Sequence, residues 1–230
     1  MSEQSTRSRF FNLIGENPCI AGVKDESGLS RVLTSDCRVV FVLYGNVINI
    51  HAIVNKLKEH GKMVFVNVDL IEGLATKEIV VDYVRQYIQS DGLLSSKAPI
   101  IKAAKSQGLF TFHRFFVIDS FSYYNFIKQA EISRPDIVEI MPGCMPKVIA
   151  WALDAVREPI VAGGLVCDQE EAHAALRAGA CAISSTSPEV WRLEERPPEA
   201  SRPPRRSGPV PVEFRRLSSP FVRKPPPLGS

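Results

Sequence analysis

From residue 18 onward, eight short and almost uninterrupted apolar runs alternate with segments of helical periodicity, and few folds accommodate that pattern. The runs are Cys19–Val23, Val39–Leu43, Met63–Val68, Gly92–Ser95, Leu109–Val117, Ile137–Met141, Ile160–Ala162 and Cys181–Ser184. Most are rich in Val, Ile, Leu or Phe without polar alternation. Strands covered on both faces look like this, as parallel strands do. Between them, Ile79, Val80, Tyr83, Val84, Tyr87 and Ile88 recur on one helical face, with Thr76 placed as N-cap. Val47, Ile50, Val54 and Leu57 form a second stripe that stops at Gly61. Asp168 with Glu171 opens Ala172–Ala178 as a capping-box variant, and Gly179 closes it.

Eight strand–helix units predict an α/β fold, a compact (β/α)8 TIM-barrel-like domain; a doubly wound open sheet is the competing arrangement. Residues 18–192 number only 175, against about 250 in a typical barrel. The helices must therefore be short, or one unit degenerate. Residues 7–14, RSRFFNLI, fit an extra helix that plugs the barrel bottom. The chain divides into an N-terminal extension (1–17), a barrel domain (18–192) and a Pro/Arg-rich tail (193–230). The tail holds ten of the 17 prolines and no apolar periodicity, so it reads as disordered.

Charge narrows the function. The formal net charge is +3, but Leu193–Ser230 carries eight Lys or Arg and four Glu, so residues 1–192 hold −1. The folded part offers no bulk attraction to nucleic acid, and any RNA contact there must be a local patch. Five cysteines without a C-x-x-C pair, and four scattered histidines, give neither a disulfide framework nor a metal site. Reduced thiols, no apolar run long enough to span a membrane, and no signal-peptide core point to a cytoplasmic location.

In a barrel of this class the chemistry sits at the C-terminal ends of the strands. Reading off those ends gives Lys24 and Asp25, then Asp69 and Glu72, Lys97, Arg114, Glu139, Gly163 and Gly164, and finally Ser184, Ser185 and Thr186. The last two groups are the most informative. Barrel phosphate sites are often built after strands seven and eight, with glycines that let backbone N–H groups approach and hydroxyls that donate to phosphate oxygens. The competing reading makes Gly163-Gly164 a tight turn and the serines helix caps. The carboxylates suit ligand hydroxyls, and Lys24, Lys97 and Arg114 suit anionic oxygens. Duller roles stand beside these: Glu72 as a cap, Lys97 in solvent, Arg114 paired with Glu139. The aromatic residues Tyr83, Tyr87, Phe121, Tyr123, Tyr124 and Phe126 lie at helical spacing, which favours packing over a base-stacking platform. Cys144 has no activating histidine pattern, so no catalytic residue is assigned.

Six strings together resemble one family: PCIAGVKD (18–25), MVFVNVDLIEGL (63–74), GLFTFHRFFVIDS (108–120), PDIVEIMPGCMPK (135–147), PIVAGGLVCD (159–168) and RAGACAISSTSPEVW (177–191). They are similar to the glycerol-uptake operon antiterminators, over about residues 17–192. The resemblance implies a barrel that senses sn-glycerol 3-phosphate, binds the mRNA leader of glycerol-uptake genes and prevents premature termination; beside that effector no cofactor is expected. It further implies that phosphate meets Gly163, Gly164, Ser185 and Thr186, and the glycerol end meets Lys24, Asp25, Asp69 and Glu72. Two positions depart from the family pattern: Asn67 stands where His is common, and His113 where Gln is common, adding a cation to strand five. A homo-oligomer is compatible with the reading, and Lys56, Lys58, Lys62, Lys102 and Lys105 are the candidate RNA contacts. The alternative is a barrel enzyme, an isomerase or lyase acting on a small phosphorylated metabolite.

Overall fold

In the computed structural model, residues 3–74 and 77–193 are described. Eight parallel strands close on themselves in sequence order: β1 (Cys19–Val23), β2 (Val39–Val42), β3 (Met63–Asn67), β4 (Gly92–Ser95), β5 (Phe110–Phe116), β6 (Ile137–Met141), β7 (Ile160–Gly163) and β8 (Ala182–Ser185). β8 pairs with β1, which rules out the open sheet. The helices are α1 (Glu3–Glu16), α2 (Glu26–Leu33), α3 (Ile50–Glu59), α4 (Ile79–Tyr83) continued by a π-helical turn (Val84–Ile88), α5 (Ala98–Ser106), α6 (Ser120–Ser133), α7 (Pro146–Ala155) and α8 (Gln169–Arg177). All eight units are present, and short helices account for the small size. Thr76 and the tail from residue 194 lie outside the described residues.

Alternate strand residues build two apolar shells. Ala21, Val40, Val42, Val64, Val66, Val138 and Ile140 face the helices. Ile20, Phe41, Phe65, Phe110, Phe112, Ile137 and Val161 fill the barrel. α1 seals its bottom, as the RSRFFNLI pattern suggests. Phe10 is fully buried, its ring centroid 5.3–6.0 Å from those of Phe65, Phe110 and Phe112. Arg7 and Arg9 anchor the plug through Asp136 (3.2 Å) and Asp91 (3.6 Å).

Local signals in the sequence resolve in part. Gly61 (φ +74°) and Gly179 (φ +106°) follow α3 and α8 in the left-handed region that glycine adopts without strain. Asp168 accepts from the Glu171 N–H at 2.8 Å, but Glu171 returns its bond to the Cys167 N–H, one residue before the cap. The Ile79–Ile88 stripe needs correcting. Val80, Val81, Val84 and Ile88 are buried, whereas Ile79 and Tyr87 are 62% and 60% exposed. The π-helical turn inserts a residue into the helical repeat and shifts the phase of the buried face. Val47 precedes α3 rather than lying on it.

Two expectations about charge are also corrected. Lys62 is buried, donating to the carbonyls of Ser35 (2.6 Å) and Cys37 (2.9 Å), and Lys105 pairs with Asp136 at 2.9 Å; neither is a free surface cation. His113 is 1% exposed, held between the Ser133 hydroxyl (2.8 Å) and the Ser96 carbonyl (3.4 Å), and burial pushes its pKa down to about 4. It is therefore a neutral ring, not a strand-five cation. Because the folded state resists protonation while the unfolded chain titrates near 6.5, stability is full above pH 6.5 and falls as pH drops toward 4. The loss should reach about 3 kcal/mol. His113→Gln should flatten that part of the pH–stability curve, measured by urea denaturation at pH 7 and pH 4.5.

Candidate functional site

The register of β5 to β8 assembles one polar layer at the top of an apolar barrel. Arg114 on β5 pairs opposite Glu139 on β6, and Gly163 on β7 opposite Ser184 on β8. All four alternate inward above the phenylalanine layer. Arg114 donates from Nε and Nη2 to the Glu139 carboxylate at 2.7 and 3.3 Å, and the Ser184 hydroxyl donates to Glu139 Oε1 at 2.6 Å. Glu139 is fully buried. Gly163 makes this possible. A Cβ there would stand 2.2 Å from Ser184 Oγ and 2.6 Å from Glu139 Oε1, in the space through which the two meet.

Above this layer lies a cavity of about 130 Å³, lined by the polar or small residues Arg114, Gly164, Ser184, Ser185, Thr186 and Ser187 and by the apolar Phe41, Leu43, Met141 and Leu165. The turn after β7 runs through Gly164 (φ +70°) and Leu165 (φ +55°). Gly143 clamps it from the neighbouring loop, donating to the carbonyls of Gly163 and Gly164 at 2.6 and 2.9 Å. A Cβ on Gly143 would meet Gly163 N at 2.7 Å, which explains the glycine of the PG-C-M-P run. The Ser185 hydroxyl ties β7 to β8, donating to the Val166 carbonyl (2.7 Å) and accepting from the Ser187 N–H (3.1 Å). Trp191 locks the same strand end through Nε1 to the Ser185 carbonyl at 2.8 Å.

Of the twelve sequence-derived candidates, seven come together here: Arg114, Glu139, Gly163, Gly164, Ser184, Ser185 and Thr186. Glu139 and Gly163 belong to the layer beneath the cavity, and the other five stand apart from both. Lys24 is exposed, and Asp25 caps α2 by accepting from the Gly28 N–H at 2.7 Å. Asp69 accepts from Ser95 Oγ (2.8 Å), the Ser96 N–H (2.6 Å) and Ser96 Oγ (2.7 Å), bracing the loops after β3 and β4. Glu72 bridges by its backbone to Gly45 and Val47. Lys97 lines a separate groove with Lys77 and Ile79. Gly22, Leu165 and Ser187 were missed. Gly22 had a signal, an isolated glycine inside an apolar strand; a Cβ there would crowd Thr186 at 3.0 Å.

The glycerol-3-phosphate responsive antiterminator family model matches residues 19–191, which takes in all eight strands and both loops of the cavity. The chain belongs to that family. The Escherichia coli K12 protein YgcP, itself uncharacterized, is 45% identical over 186 residues, spanning 81% of this chain and 97% of its own. The glycerol uptake operon antiterminator regulatory protein from Listeria monocytogenes superposes with a TM-score of 0.74 at 25% identity, over 76% of this chain and 95% of that one. A glycerol uptake operon antiterminator-related protein from Thermotoga maritima gives 0.68 at 32% identity, over 76% and 97%. Orotidine 5′-phosphate decarboxylase from Pyrococcus horikoshii shares the fold at a TM-score of 0.58 and 16% identity, over 76% and 98%.

Proposed function

We propose that this chain is a cytoplasmic antiterminator gated by sn-glycerol 3-phosphate: the effector enters the barrel-top cavity, favours an RNA-competent form, and that form binds the leader of glycerol-uptake mRNA and prevents premature termination. The observation that carries this is the cavity that joins the β7 and β8 loops to Arg114. Phosphate belongs against Gly164, Thr186 and Ser187, where a glycine turn and a hydroxyl-rich strand end meet. The glycerol hydroxyls belong against Arg114 and Ser184, the two lining side chains that the buried Glu139 carboxylate holds in place. This replaces Lys24, Asp25, Asp69 and Glu72 as the partners of the glycerol end.

Sensing is favoured over catalysis by the same lining. It contains no lysine amine for a Schiff base and no imidazole for general base work, and its arginine is already paired. Thermal unfolding with sn-glycerol 3-phosphate, against glycerol and inorganic phosphate as controls, tests the effector. A ligand at 100 times its Kd stabilises by about 2.7 kcal/mol, which raises the midpoint by roughly 5–10 °C for a domain this size. A shift confined to sn-glycerol 3-phosphate is the expected result; none at millimolar ligand would remove the effector assignment.

A further inference from the structure

The RNA-binding role leaves open which surface holds the RNA, and the near-neutral barrel points to a local one. The π-helical turn after α4 interrupts the regular geometry of the outer layer. Its last bond runs from the Gln89 N–H to the Val84 carbonyl at 2.7 Å, and Gln89 closes it with φ +56°, a left-handed conformation that non-glycine residues rarely adopt. Such turns are frequent at functional sites. This one sets Tyr87 outward, 60% exposed, stacked on Tyr83 with centroids 5.3 Å apart and planes 28° apart. An exposed tyrosine face backed by a second ring is a poor use of apolar surface for packing and a good platform for a nucleobase.

Cations flank it. Lys58 of α3 reaches across to donate to the Gln89 carbonyl at 2.8 Å, which places its ammonium at the end of the turn that carries Tyr87. Arg85 lies exposed within the turn itself, and Lys56 is exposed on α3. A stacked aromatic pair bordered by Lys and Arg matches single-stranded RNA: the phosphates take the cations and an unstacked base takes the ring.

The platform is also wired to the effector face. The Tyr83 hydroxyl donates to the Val47 carbonyl at 2.9 Å, the Val47 N–H to the Glu72 carbonyl at 3.0 Å, and the Glu72 N–H to the Gly45 carbonyl at 2.9 Å. Gly45 stands two residues beyond Leu43, which lines the cavity. A shift of the β2 loop on effector binding therefore has a short hydrogen-bonded route to Tyr83.

We propose that the stacked Tyr83–Tyr87 pair, with Lys58 and Arg85, is a docking site for single-stranded RNA; this rests on the antiterminator reading and adds the surface to it. The test uses the full chain with saturating sn-glycerol 3-phosphate and two labelled probes, a glycerol-uptake leader transcript and a poly(U) strand of about 20 nucleotides, longer than a typical single-strand site. Tyr87→Ala should weaken binding by about five-fold or more, and Tyr87→Phe, which keeps the ring, should not. Lys58→Ala and Arg85→Ala should each reduce the slope of log affinity against log salt by about 0.7. If the wild-type chain binds RNA and all three alanine variants match it in affinity and slope, the surface is wrong while the antiterminator stands. If the wild-type chain binds neither probe, the surface falls together with the RNA-binding role.

Discussion

Arg114→Ala should cost about 3–5 kcal/mol of unfolding free energy, the effect of stranding one member of a buried ion pair. Glu139 is fully buried, and without the guanidinium its carboxylate would keep only the Ser184 hydroxyl as a partner. A loss that large in urea denaturation should come with a loss of effector binding, because Arg114 lines the cavity. Stability and binding can then be separated. The double variant Arg114→Met, Glu139→Leu replaces the pair by apolar groups of similar length. It should recover most of the stability, as buried pairs often exchange for hydrophobic residues at little cost. The residual deficit, about 1–3 kcal/mol, reflects the Ser184 hydroxyl left without its acceptor. Effector affinity should stay lost. A double variant that binds sn-glycerol 3-phosphate like the wild type would dismiss Arg114 as a recogniser of the glycerol end.

At the opposite end, Phe10→Ala should destabilise by about 3–5 kcal/mol, the range for deleting a fully buried aromatic ring. Its ring meets three phenylalanines of the barrel interior, so the void opens where strand residues cannot close it without breaking their register. Chemical denaturation reads the loss. Effector affinity, measured well below the unfolding transition, should stay within a factor of two or so, because the bottom face serves stability and the top face the ligand. A Phe10→Ala variant of wild-type stability would mean that α1 does not plug the barrel.

Much of the barrel was legible in the sequence because its strands are buried on both faces and so carry no polar alternation to confuse the pattern. The plug was legible too, since RSRFFNLI sets apolar residues beside arginines that find Asp136 and Asp91. Phase was not. Nothing local in Val84–Ile88 announces a π-helical turn, and the stripe drawn through Tyr87 landed on solvent. At the site, residues on adjacent inward positions of β5 to β8 could be grouped from strand ends alone. Loop residues could not: Asp25 and Asp69 sit at strand ends as a ligand group would, yet their carboxylates are taken up by backbone and serine donors of neighbouring loops. Lys62 and Lys105 read as surface cations because lysine usually is one, and only the fold reveals the carbonyls and the carboxylate that hold them.

The most direct test is the affinity for sn-glycerol 3-phosphate measured by calorimetry with and without saturating leader RNA. If one ligand gates the other, RNA must tighten the effector by the same factor by which the effector tightens RNA, about 5–150-fold for coupling of ordinary strength. That reciprocal gain is the expected result. Equal effector affinity in the presence and absence of bound RNA would contradict a ligand-gated antiterminator.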